Sequence, residues 1–220
     1  MLTIGDLYSL EHTLMGEYLS RFTYPFQALS GIKDEIIRLG KTLLEDEYDE
    51  IKENVWVHKS ANVFPSAYLG EAVIIGPKAE VRHSAFIRGS AIVGEGAVVG
   101  NSTELKNVIL FDYVQVPHYN YVGDSILGYK AHMGAGSITS NVKGDKTLVT
   151  IKDRDGNKQE TGQKKVGAML GDYAEIGCNT VLNPGTVVGK HTTIYPLTFV
   201  RGEIPAQSIL KNSGELALKH

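Results

Sequence analysis

Cysteine is almost missing: Cys178 stands alone in 220 residues. No intrachain disulfide framework is possible, and a reducing compartment is the expected setting. A basic excess is missing too. Lys and Arg total 22 against 25 Asp and Glu, for a net charge of −3, so a phosphate-tracking nucleic-acid binder is not expected. No apolar run nears the roughly 18 residues of a membrane span. The opening residues, MLTIGDLYSLEH, carry acids early and lack the unbroken apolar stretch of a secretory leader. Cytoplasm is the expected location, with neither nucleic acid nor membrane as partner. What remains is 42% hydrophobic, enough for a sizeable core in one or two domains.

Two segments with different periods divide the chain. Residues 1–53 read as an α-helical arm. Leu7, Leu10, Leu14 and Leu19 recur at helical spacing. Pro25 then opens a stripe of threes and fours through Phe26, Leu29, Ile32, Ile36, Ile37, Leu39, Leu43 and Leu44. Proline suits a first helical turn, where its missing N–H is not needed. The acids from Glu45 to Glu53 read as a solvated exit. Nothing in the arm carries chemistry, so packing or oligomerisation is its expected role.

Beyond Val55 an aliphatic residue recurs every six positions. The series runs Val57, Val63, Leu69, Ile75, Val81, Ile87, Val93, Val99, Leu105, and resumes from Leu127 and again from Leu170. Glycine often follows, as at Gly70, Gly76, Gly94, Gly100, Gly134 and Gly177. Six helical steps turn a side chain by about 240°, which would scatter these residues over several faces. Six extended steps bring each aliphatic back to the same side. Very short strands joined by corners satisfy the pattern, with glycine read as supplying the corner's backbone freedom. No single repeat buries its apolar side, but a stack does. The rhythm lapses between Phe111 and Val122, and again between Asn141 and Val166. The second lapse alternates through Thr147–Lys152 and turns at Asp155-Gly156, a hairpin-like insertion near 142–165. Its lysines read as a solvated loop or as a basic arm reaching towards a phosphate.

The pattern [LIV]-G-x-x-[AST]-x resembles the hexapeptide-repeat acyltransferases. The resemblance implies an all-β fold, a left-handed parallel β-helix over residues 54–220 that forms the acyltransferase domain, and a homotrimer with sites between neighbouring prisms. Residues 101–141 and the run KKVGAMLGDYAEIGCNTVLNPGTVVG are most similar to the acetyltransferase half of the bifunctional enzymes that acetylate and uridylate glucosamine 1-phosphate, above all their archaeal and clostridial forms. The uridylyl half needs a Gly-rich nucleotide loop. Gly5, Gly16, Gly31 and Gly40 are too scattered for one, so nucleotidyl transfer is not expected.

Acetyl transfer to an amine needs a base, an aligned thioester and an oxyanion stabiliser. The resemblance assigns the base to His118 in PHYNYVGD, and imidazole suits that task near neutral pH. By the same likeness Glu104 orients the base, Arg88 and Lys106 bind the sugar phosphate, and Tyr121 and His132 contact the sugar. Ala135 and Asn141 lie near the acetyl group of acetyl-CoA, and Cys178 and Pro196 lie along the CoA arm. Arg88 precedes Lys106 by eighteen residues, one coil of the family. His132 and Val142 depart from the asparagine and tyrosine of the relatives. Both positions lie in the implied acceptor pocket, so galactosamine 1-phosphate or a nucleotide-linked amino sugar also fits. Direct transfer needs no metal, and nothing beside Cys178 marks it as a nucleophile. The expected function is a CoA-dependent N-acetyltransferase acting on an amino-sugar 1-phosphate in UDP-N-acetylhexosamine or envelope-precursor synthesis. The alternatives are a catalytically silent trimeric scaffold, a sugar-nucleotide-binding regulator, or a metal-dependent hydratase using His83, His118 and His132.

Overall fold

The computed structural model describes residues 1–219. From Val55 onward the chain winds as a parallel β-helix of about nine turns with three faces, the left-handed class expected. Ile75 lies beside Val57 on one side and Val93 on the other, eighteen residues away each time. The first face stacks short strands, among them Glu80–Val81, Val98–Asn101, Gln115–His118, His132–Met133 and Glu175–Ile176. The other two faces share the long strands Tyr68–Ile75, Phe86–Val93, Glu104–Leu110 and Tyr121–Leu127. The beginning of each strand lies on the second face and its end on the third. Inside, the six-spaced aliphatics from Ile75 to Leu105 are fully buried, as are Leu127, Met133 and Leu170. Each contributes roughly 1.5–3 kcal/mol of burial before chain entropy is counted.

The lapse expected between Phe111 and Val122 is not a break in the helix. Leu110, Val116 and Val122 continue the inward row at 0% exposure. The steps from Leu105 to Leu110 and from Val122 to Leu127 are five residues, so these coils are one residue short, and the register follows: Glu104 lies beside Tyr121, seventeen residues on. The insertion at 142–165 does leave the helix. Thr150–Lys152 and Lys158–Glu160 pair antiparallel around Gly156 at φ +86°.

The glycines have a different cause from the one read in the sequence. Glycine holds a few of the left-handed corner positions, Gly96 and Gly136 among them, but most hold ordinary residues, such as Lys78, Ser84, Tyr113 and Asp124 at φ between +48° and +60°. Each such residue costs about 1 kcal/mol or more, offset by the paired coils. The repeat glycines sit where the next coil passes too close for a side chain. A Cβ on Gly94 would lie 2.6 Å from the amide nitrogen of Asp112, and one on Gly128 2.8 Å from that of Asp172.

Helix content in the arm is confined to short pieces: Ile4–Leu7, Leu10–His12, Gly16–Leu19, Pro25–Gly31 and Ile32–Gly40. Pro25 does open a helical turn. The acidic exit, however, is a strand. Tyr48–Lys52 pairs antiparallel with Val55–His58 and covers the open edge of the first coil, as Leu216–Leu218 does at the other end. The arm lies on the third face, and the reason is compositional. The outward residues there are Trp56, Ile74, Ile92, Ile109, Ile126, Met169 and Val187, all at 5% exposure or less. A face apolar on both sides must be covered, and Leu7, Leu29, Ile32 and Ile36 cover it in one continuous core. Gly40 lets the last helix settle directly on the Trp56 ring.

Candidate active site

Apart from His132, the residues expected to act lie on the second face or at its two edges. The first edge is the corner between the first and second faces. His83, Asn101, His118, Ala135, Cys178 and Pro196 occupy equivalent places there, each just before a left-handed residue. Backbone bonds tie successive coils together. Gly136 N–H donates to His118 O at 3.0 Å, Asn179 N–H to Ala135 O at 2.9 Å and Leu197 N–H to Cys178 O at 3.0 Å. At about 4.8 Å per coil, Pro196 lies roughly 14 Å from the level of His118. The His118 side chain is exposed, and neither ring nitrogen has a hydrogen-bond partner among the described residues. The neighbouring turn is rigid. Asn120, 2% exposed, accepts from His118 N–H at 3.1 Å and donates to Gly134 O at 2.9 Å and Ser137 O at 3.1 Å. Within Gly134–Gly136 the two glycine N–H groups are engaged by Ile176 O and His118 O. The Ala135 N–H between them has no partner among the described residues.

The second edge is the corner between the second and third faces. Lys106 Nζ lies 2.8 and 3.1 Å from the two carboxylate oxygens of Asp124. Asn141 Nδ2 reaches Asp124 at 2.5 Å and the Tyr121 hydroxyl at 3.3 Å. Arg88 donates to Glu104 at 2.9 Å, and that bond raises the guanidinium's pKa further. Burial pushes the Tyr121 phenol up; the Asn141 bond opposes this, while the Asp124 and Glu104 carboxylates reinforce it. The phenol therefore stays protonated and able to donate.

Eighteen-residue spacing would set Arg88 beside Lys106, but Gly89 stands there instead. The register slips between Ile87 and Gly89, leaving Arg88 on a bulge that turns it to Glu104. Glu104 is engaged by Arg88 rather than by His118. His132 lies on the first face, 2.9 Å from Glu175, three residues before the Ala135 corner. One chain thus joins Arg88 to Glu104, and Lys106 to Asp124, Asn141 and Tyr121. It joins His118 to Ala135, Cys178 and Pro196. Among the described residues no hydrogen bond links the His118 line to the other two groups. Asp124, Asn120 and Asn107 escaped the sequence reading. The first two stand inside PHYNYVGD, where being polar at positions the coil buries was the available signal.

Comparisons with known proteins find, first, one family model and one solved structure. The family described as the GMPPB C-terminal domain matches residues 73–154. A solved hexapeptide transferase family protein from Anaplasma phagocytophilum superimposes with a TM-score of 0.43 at 17% identity, over 76% of this chain and 80% of that one. Particular relatives follow. The chain is 28% identical to a bifunctional sugar-1-phosphate nucleotidylyltransferase/acetyltransferase of Sulfurisphaera tokodaii, over 81% of this chain and 41% of the relative. It is 31% identical to the bifunctional protein GlmU of Staphylococcus epidermidis, over 74% and 31%, and 34% identical to that of Methanococcus vannielii, over 54% and 28%. The chain spans less than half the length of the curated relatives it matches. The resemblance read from the repeat stands.

Proposed function

We propose that this chain is a CoA-dependent N-acetyltransferase that moves the acetyl group of acetyl-CoA to the amine of an amino-sugar 1-phosphate. The observation that carries this reading is the first edge: an exposed imidazole without a partner lies one coil from an unpaired backbone N–H. His118, neutral, takes a proton from the acceptor ammonium. The freed amine attacks the thioester carbonyl. Ala135 N–H donates to the oxyanion as it forms, and collapse expels the CoA thiolate, which takes up the second proton that the nitrogen loses after attack. The CoA arm runs along Cys178 and Pro196.

Arg88 and Lys106 hold the sugar phosphate on the second edge, and the Tyr121 hydroxyl reaches towards it across the second face. About 10 Å of extended chain separates Tyr121 from Asp124 alone, so one chain spreads the two edges apart. The working site therefore joins the His118 edge of one copy to the Lys106 edge of a neighbour in a homotrimer. Tyr68, Phe86 and Phe199 stand 55%, 42% and 62% exposed on the second face between those edges, and an apolar row of that kind suits a self-contact. The 1–53 arm then serves as a cover for the third face, and the 54–220 β-helix as the acyltransferase domain in the cytoplasm.

Thiol release from acetyl-CoA tests the reading, with glucosamine 1-phosphate, galactosamine 1-phosphate and nucleotide-linked amino sugars as acceptors. Release that depends on one of the sugar 1-phosphates is the expected result. Acetyl-CoA binding without transfer to any acceptor would overturn it in favour of the scaffold.

A further inference from the structure

Asp124 is 3% exposed, yet the transfer reading gives it no part. Its carboxylate accepts from Lys106 Nζ at 2.8 and 3.1 Å, from Asn141 Nδ2 at 2.5 Å and from Asn107 Nδ2 at 3.0 Å. Those bonds fill the roughly four lone-pair positions a carboxylate offers, so Asp124 has nothing left for a ligand. Lys106 differs. An ammonium has three N–H donors; Asp124 takes at most two, and the side chain remains 27% exposed. Arg88 and Glu104 differ again: at 48% and 32% exposure their pair is free to open when an anion arrives.

Asn107 carries the network out of the β-helix. Its Nδ2 also donates to Leu29 O at 3.1 Å, inside the Pro25–Gly31 turn of the arm. The same turn is held from the insertion, where Gln163 Nε2 donates to Phe26 O at 2.9 Å. A continuous path of hydrogen bonds thus leads from the arm's backbone through Asn107 and Asp124 to Lys106, Asn141 and Tyr121.

We propose that Asp124 is a positioning residue: it fixes Lys106 and Asn141 on the acceptor edge and, through Asn107, fastens both to the N-terminal arm. The proposal rests on the transfer reading for its consequence, and on the geometry alone for its mechanism. The arm, which holds no chemistry of its own, becomes part of the acceptor site's frame.

Two readouts on the full chain test it. The first is brief labelling with acetyl N-hydroxysuccinimide and mass-spectrometric quantitation at Lys106. Release from Asp124 should speed labelling about tenfold in Asp124→Asn and about threefold in Asn107→Ala, with Lys158 unchanged as a surface reference. The second is steady-state transfer. The acceptor KM should rise about tenfold in Asp124→Asn while the acetyl-CoA KM holds. On a Lys106→Ala background Asp124→Asn should add less than it does alone, because its hold on Lys106 is already gone.

Unchanged Lys106 labelling, or effects on acceptor KM that simply add, would overturn the proposal. Should the wild type acetylate no amino-sugar phosphate, the transfer reading falls and the labelling still decides the positioning. If Asp124→Asn does not fold, Asn107→Ala keeps the Lys106–Asp124 pair and carries the same labelling test.

Discussion

Removing the imidazole of His118 should lower kcat by roughly 10²–10⁴-fold, the usual contribution of a positioned base. Acetyl-CoA affinity should hold, because the base acts on the acceptor. A mutant that keeps full kcat would place the base elsewhere. A second expectation at this scale separates sterics from backbone freedom. In Gly94→Ala the new methyl meets the Asp112 backbone at 2.6 Å, and overpacking of this kind costs about 1–3 kcal/mol. At Gly144 an added methyl would meet nothing within 4 Å, and the backbone φ is not left-handed. Gly144→Ala should therefore leave the thermal midpoint near the wild type. Equal melting of the two variants would show that the repeat glycines are not spacing devices.

Among elements, the arm and the third face explain each other. The period of six was legible because each inward aliphatic is an even number of extended steps from the next. The outward row from Trp56 to Val187 was equally present in the sequence, but it shares strands with the inward row and so reads as one more apolar run. The arm's cover could not be placed without that row. The strand Tyr48–Lys52 was hidden by its acids, which point to solvent while Tyr48 is buried. At the site, His118, Ala135, Cys178 and Pro196 came from the family likeness rather than from spacing, and that they share one corner position became visible only in the fold. The Arg88 bulge was not legible either, since one slipped residue leaves no mark on spacing. The arm's docking also has a pH signature. Glu35 is 6% exposed and takes two bonds from Arg38, at 2.7 and 3.1 Å. Those bonds hold its carboxyl below the ordinary glutamate range, against the opposing effect of burial. A carboxylate depressed in the fold contributes stability above its unfolded pKa and loses it as pH falls through the folded value. Because Arg38 is half exposed, about 1 kcal/mol is at stake. Wild type should lose stability relative to Glu35→Gln on acidification below about pH 4.3. Parallel denaturation curves at every pH would remove Glu35 from the arm's anchoring.

At the scale of the whole molecule, the distance between the two edges makes assembly a matter of chemistry. If a site borrows the His118 edge from one copy and the Lys106 edge from the next, then His118→Ala and Lys106→Ala damage different halves of the same pocket. Each variant alone should be nearly inactive at low acceptor concentration. Co-expressed, the two chains mix within closed cyclic assemblies. A site is then intact whenever its His118 comes from the Lys106→Ala chain and its Lys106 from the His118→Ala chain. Random mixing in equal amounts gives about a quarter of all sites that pairing. Activity should therefore rise from near zero in either pure variant to about a quarter of wild type in the mixture, with the wild-type acceptor KM, since the restored sites are unaltered. Sedimentation should report a trimer for every preparation. The complementation also answers to dilution: below the dissociation range of the assembly the recovered activity should fall away with the trimer. A mixture that stays as inactive as its parents, in preparations that sediment as mixed trimers, would mean that one chain holds the whole site and that the second face closes in some other way over its own two edges.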